Sequence, residues 1–192
     1  MYEAKDFKHL LGTQGFSDNL LNTHFGLYEG YVKNTNTLAE RLKTLLDEDK
    51  AGPGEYAELK RRFGWEFNGM RLHELYFGNM ANGGTQYNDS SEIAKKIETS
   101  FGSHDAWAKD FTATGALRGI GWAILAHDKE ADKLFNVWIN EHDVGHLAGA
   151  TPLLVMDVFE HAFVLDYGMK RAEYIESFMK AVDWKVVNDR LA

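Results

Sequence analysis

Cysteine is absent from all 192 residues. A disulfide framework, a thiolate metal site and a cysteine nucleophile are therefore all excluded, and any bound metal must take nitrogen and oxygen ligands. A basic run is missing too: 21 Lys and Arg against 29 Asp and Glu leave a formal net charge of −8. That balance argues against a nucleic-acid surface and for small or proteinaceous partners. No stretch approaches the length of a membrane-spanning helix, and the opening from Met1 to Lys8 lacks the apolar centre of a signal peptide. A cytoplasmic protein with no membrane partner is expected. Internal repeats and low-complexity tracts are also lacking. What the chain does hold is apolar material: 44% hydrophobic residues supply a core for one compact unit or two small, closely packed ones.

Ser17 followed by Asp18 reads as a helix N-cap with acid in the first turn. Apolar residues then recur at helical spacing through Leu20, Leu21, Leu27, Tyr28, Tyr31, Leu38 and Leu42, which predicts a long helix with a break near Asn34 to Asn36. Ala51-Gly52-Pro53-Gly54 is the clearest turn, and helical spacing resumes from Glu55 to Met80. The two segments make a helical hairpin. Residues 81–91 are rich in turn formers and mark a boundary, dividing the chain into an N-terminal hairpin domain over 1–86 and a C-terminal domain over 87–192. Within the latter, helices are expected from Ser91 to Phe101 and Ser103 to Ala116. Strands are expected from Gly119 to Ala126, Leu134 to Asn140 and Leu153 to Met156, and one closing helix from Tyr174 to Leu191. Segregated helices and a small three-stranded antiparallel sheet make the fold α+β, the second domain having α/β character.

His24 and His73 each fall on a predicted helix, and Asp157-Val158-Phe159-Glu160-His161 lies near the far end of the chain. An Asp and a His four apart converge if the turn between them is helical, yet such a pair alone is common, and a lone histidine on an apolar helical face is usually a core residue. In combination they offer three imidazoles and one carboxylate, a set that suits iron, manganese or zinc. His142-Asp143-Val144-Gly145-His146 has the histidine spacing of a zinc-hydrolase helix, but Asp replaces the required Glu and a glycine stands where helix is needed. Ferritin-like di-iron chemistry wants paired Glu-x-x-His motifs, which this chain lacks.

The tract from Thr151 through Asp157-Val158-Phe159-Glu160-His161-Ala162-Phe163 resembles the signature of the iron/manganese superoxide dismutases, roughly D-x-[WF]-E-H-A-[FY]. The resemblance covers nearly the whole chain and is strongest over 67–80, 119–122 and 151–167. It implies a metal between an N-terminal helical hairpin and a C-terminal α/β domain, held by His24, His73, Asp157 and His161. It implies one iron per subunit, with manganese as the alternative, and conversion of superoxide to dioxygen and hydrogen peroxide. The partner it implies is a second copy of the chain, as a homodimer or a dimer of dimers.

Around these ligands the resemblance assigns further roles. His142 stands where many members place a glutamine that hydrogen-bonds the metal-bound solvent, and Gly69 occupies the other position used for it. Tyr31 corresponds to the gateway tyrosine above the metal, though it follows His24 by seven residues where eight is usual. Tyr28 replaces a histidine and Val164 a tyrosine, so both members of a usual hydrogen-bonded pair at the entrance are gone. Trp122 matches a tryptophan walling the site, while Ile124 and Phe159 replace two other aromatics, which implies a thinner aromatic wall. Glu160 is implied to reach a ligand histidine of the partner subunit, and Arg171 and Tyr174 to lie near the funnel and interface. The altered entrance leaves a second reading, a relative that binds metal or serves a structural role with impaired catalysis.

Overall fold

The computed structural model of the chain describes residues 1–191. Two long antiparallel helices, α1 (Asp18–Asp47) and α2 (Glu55–Gly78), form the first layer. The Ser17 hydroxyl accepts the Leu20 N–H and so caps α1, while Asp166, from the far end of the chain, binds both the backbone N–H and the hydroxyl of Ser17. Leu20, Leu21, Phe25, Tyr28 and Val32 on α1 are buried with Met70, Tyr76 and Phe77 of α2.

The expected break in α1 does not occur. Asn34, Thr35 and Asn36 are poor helix formers, but tertiary partners engage the two asparagine side chains. Asn36 exchanges hydrogen bonds with both backbone groups of Tyr2, Asn34 donates to Glu66, and Thr35 is fully buried.

Beyond the hairpin come α3 (Glu92–Phe101) and α4 (His104–Gly115), capped by Ser91 and Ser103. Three strands follow: β1 (Gly121–Asp128), β2 (Lys133–Asn140) and β3 (Thr151–Asp157). They form one antiparallel sheet in the order β2-β1-β3. The first strand begins two residues later than expected because Gly119 and Gly121 turn the chain with φ of 139° and 148°. At Gly121 a Cβ would lie 1.9 Å from the Ile139 carbonyl oxygen, so only glycine permits this strand approach. Register pairs Trp122 with Ile139 on one side and with Asp157 on the other, which sets the tryptophan beside the end of β3.

After β3 a short 3-10 helix (Glu160–Ala162) and α5 (Val164–Tyr167) lead to α6 (Arg171–Ala181) and α7 (Trp184–Asp189). The single closing helix predicted from Tyr174 to Leu191 is thus two. Val182 leaves the helix to bridge with Met80, and Asp183 accepts the Lys185 and Val186 N–H groups to start α7. Tertiary pairing outcompetes one turn of helix there. Among the described residues, no helix is long and apolar enough to cross a membrane.

Candidate metal centre

Four residues from four elements meet between the hairpin and the sheet: His24 on α1, His73 on α2, Asp157 at the end of β3 and His161 in the 3-10 helix. One donor atom from each lies within 4.8 Å of the others. Ligand bonds of about 2.1 Å place donors about 3 Å apart at right angles and about 4.2 Å apart when opposed, close to this spread. Asp157 Oδ2 is the hub, 3.1 Å from His24 Nε2, 3.1 Å from His161 Nε2 and 3.6 Å from His73 Nε2.

Asp157 and His73 are each aimed by a second contact. Asp157 Oδ1 accepts the Phe159 N–H, which turns Oδ2 toward the histidines, and the Asp157 carbonyl accepts the Tyr174 hydroxyl at 2.6 Å. His73 Nδ1 sits 2.6 Å from the Gly69 carbonyl. A carbonyl only accepts, so the ring proton is on Nδ1 and Nε2 carries a bare lone pair. That Nε2 is buried without any hydrogen-bond partner. A buried acceptor left unpaired costs free energy, and here the atom points at the carboxylate hub, where a cation would satisfy it. The residues therefore fit a metal ion held by nitrogen and oxygen.

Electrostatics agree with that fit. Burial holds the His24 and His73 imidazoles below their ordinary value, with the neighbouring His24 adding to the effect on His73, so both are neutral donors at pH 7. Burial alone would raise the Asp157 carboxyl, but His161 and His24 outweigh it and keep the group far below the usual carboxylate range. Two neutral imidazoles and one carboxylate anion result.

Beside this cluster stands a second hydrogen-bonded unit. The Trp122 indole donates to His142 Nδ1 at 3.1 Å, and His142 Nε2 lies 2.9 Å from the Tyr31 hydroxyl. Because an indole only donates, Nδ1 is the acceptor, the ring proton is on Nε2, and Nε2–H donates to the tyrosine oxygen. Burial lowers the His142 imidazole to about 4, keeping it neutral, and raises the Tyr31 phenol. Tyr31 is also stacked on His73 with ring centres 5.1 Å apart. Although the helix spacing from His24 is seven rather than eight, the tyrosine still reaches His142.

Sequence-predicted residues separate into those at the cluster and those away from it. Trp122, Tyr31 and His142 adjoin it. Tyr28 does not bring its polar atom there: the hydroxyl accepts the Lys5 N–H and donates to Glu74, on the side of the N-terminal segment. Arg171 also lies away, donating to the Leu117 and Gly119 carbonyls with its guanidinium over Phe163. Glu160 is exposed and shares an open recess with Arg118, Met169 and Arg171. The zinc-hydrolase pairing fails, because His146 Nε2 bonds the His142 carbonyl and both His142 nitrogens are engaged elsewhere.

The aromatic wall expected to be thin is filled from two sides. Phe159 stacks on His142 at 4.8 Å and on His161 at 5.0 Å, and Trp65 meets His142 edge-on at 4.5 Å. No motif flagged Trp65. Its spacing could have, since Trp65, Gly69 and His73 repeat every four residues and share one face of α2.

Comparison with known proteins agrees with the geometry. Residues 89–190 match the model of the iron/manganese superoxide dismutases, C-terminal domain. A superoxide dismutase [Fe] of Aquifex aeolicus is 38% identical over 98% of this chain and 90% of its own length. A superoxide dismutase [Mn] 2 of Haloferax volcanii is 35% identical over 88% and 83%, and a superoxide dismutase [Fe] of Saccharolobus solfataricus 33% over 91% and 85%. Sharing both that domain and full-length identity of this order, the chain belongs to the iron/manganese superoxide dismutase family.

Proposed function

We propose that the protein is a superoxide dismutase in which His24, His73, Asp157 and His161 hold one iron per subunit, with manganese as the alternative. The observation that carries this reading is the buried, unpartnered His73 Nε2 aimed at the Asp157 carboxylate within a family member's cluster. Bound there, the metal supplies reversible one-electron transfer, so that two superoxide anions and two protons become one dioxygen and one hydrogen peroxide. Iron is favoured because the two relatives at 38% identity bear it in their names, against 35% and 36% for those named for manganese.

The chain's own residues bind, exclude and hold protons. Three imidazoles and one carboxylate would hold a trivalent or divalent ion and leave it residual positive charge, which would attract an anionic substrate. His142 holds a proton on Nε2 and shares it with the Tyr31 oxygen, leaving the tyrosine O–H free to donate toward the cluster. Trp122 fixes the tautomer that makes this possible. Tyr31 also lines a recess of about 200 Å³ between α1 and α2, together with Gly30, Asn34, Arg62 and Trp65. A recess of this size admits a diatomic anion.

A homodimer belongs to the same reading. Its support is the set of exposed apolar residues Leu117, Val164, Leu165 and Met169, the last of which lines the recess that contains Glu160. A division into domains at residues 86 and 87 is supported by the family match beginning at residue 89. The deciding experiment is superoxide dismutation by protein purified without added metal and then loaded separately with iron and manganese, with elemental analysis of each sample. Turnover with either metal is expected. A fully loaded, folded and inactive protein would refute the catalytic reading and leave a metal-binding or structural role.

A further inference from the structure

The turn after β2 that carries His142 is held by an unusual contact. Glu141, just before the histidine, has φ of 49°, a left-handed conformation that costs a residue with a Cβ about 1 kcal/mol or more. Its backbone N–H donates to the Ile120 carbonyl at 3.1 Å. Its carboxylate accepts the Trp65 indole N–H at 3.0 Å. The tryptophan ring is fixed in turn: the Arg62 guanidinium lies 3.7 Å over it, and Arg62 is anchored by the buried Glu66 carboxylate at 2.8 Å. The same ring presses on His142 at 4.5 Å and on Tyr31 at 5.6 Å.

We infer that Trp65 and Glu141 are positioning residues for the proposed reaction, their hydrogen bond clamping the His142 turn to α2. The inference rests on the reading that His142 serves the metal site. Without the clamp, the His142 ring keeps its Trp122 and Tyr31 hydrogen bonds and its stacking on Phe159, but the turn that carries it loses its hydrogen bond to α2. The ring at position 65 remains, but the released turn allows the His142 ring to tilt away from the tyrosine oxygen. The clamp joins residues 76 positions apart. It therefore links the placement of the proton-holding histidine to the helix that bears His73.

The test uses the iron-loaded protein poised at a fixed potential with redox mediators, reading the ferric-to-ferrous ratio by absorption. Trp65→Phe keeps the ring and removes the N–H, Glu141→Ala removes the acceptor, and Glu141→Gln retains an acceptor oxygen. Each of the first two is expected to shift the ratio about five- to tenfold in the same direction, the value of one hydrogen bond of about 1–1.4 kcal/mol. The double variant should shift no further than either single one, and Glu141→Gln should recover most of the change. Thermal unfolding of the metal-free variants verifies that all are folded. Additive shifts, or no shift while His142→Asn moves the ratio, overturn the clamp. No shift in His142→Asn either overturns the reading of His142, and the clamp with it.

Discussion

Replacing Gly69 by alanine sets two opposing effects against each other inside the candidate site. A Cβ at this position would lie 2.6 Å from Tyr31 Cδ1, 2.7 Å from Cε1 and 3.1 Å from Cγ. Those atoms form one side of a ring that stacks on His73, meets Trp65 and is tied to His142 through its hydroxyl. The ring cannot retreat without breaking that hydrogen bond. Removing a glycine from a helix interior gains about 1 kcal/mol. Against this, a methyl forced into filled space costs about 1–3 kcal/mol, and loss of the Tyr31–His142 bond adds about 1 kcal/mol. Gly69→Ala should therefore destabilise the metal-free protein by about 1–3 kcal/mol. In a Tyr31→Ala background the steric and hydrogen-bond costs vanish and the helix gain remains. There the same substitution should stabilise by about 1 kcal/mol. Urea unfolding of the four proteins, analysed as a double-mutant cycle, measures the reversal of sign. Stabilisation by Gly69→Ala with Tyr31 present, or equal destabilisation in both backgrounds, refutes the packing argument.

His73→Ala should abolish retention of iron and manganese while leaving a folded chain, because it deletes the buried free lone pair; elemental analysis with circular dichroism checks both halves. Stability of the metal-free protein should fall between pH 7.5 and 5.5. His24, His73 and His142 have folded values lowered by burial, the last to about 4, so the unfolded chain binds protons first. Their contribution is complete above the unfolded value of about 6.5 and is lost below it at up to about 1.4 kcal/mol per pH unit for each histidine. The urea midpoint should drop over that range, and His142→Gln should flatten the drop. Asp157, whose folded value is depressed, contributes above about 3.9 and is lost only as pH falls below it, outside this window. Arg190→Met should cost about 1–3 kcal/mol in the same unfolding assay, since it removes the guanidinium bond to the Leu153 carbonyl and one of the two bonds accepted by the Leu75 carbonyl and by Asn79 Oδ1, in a part-buried setting.

Local pattern was enough to reveal much of this molecule. Helical spacing with Ser17 and the Gly-Pro-Gly turn marked the hairpin, alternating apolar runs marked the strands, and a short motif around Asp157 and His161 marked two donors, with His24 and His73 set on the paired helices. These signals span a few residues, and neighbours along the chain decide them. Contacts between distant residues settled the rest. The helix runs through Asn34 to Asn36 because Tyr2 and Glu66 engage their side chains, and α6 ends where Val182 bridges to Met80. Tyr28 turns its hydroxyl to Lys5 and Glu74, whereas Tyr31, three residues on, meets His142. Trp65 joins the site through its contacts with Glu141, His142 and Tyr31. The sequence alone determined which side chains could bind a metal and the elements bearing them. Only the tertiary structure decided where each donor atom points, because a hydrogen bond between distant residues needs both backbones in place, and no local periodicity records that.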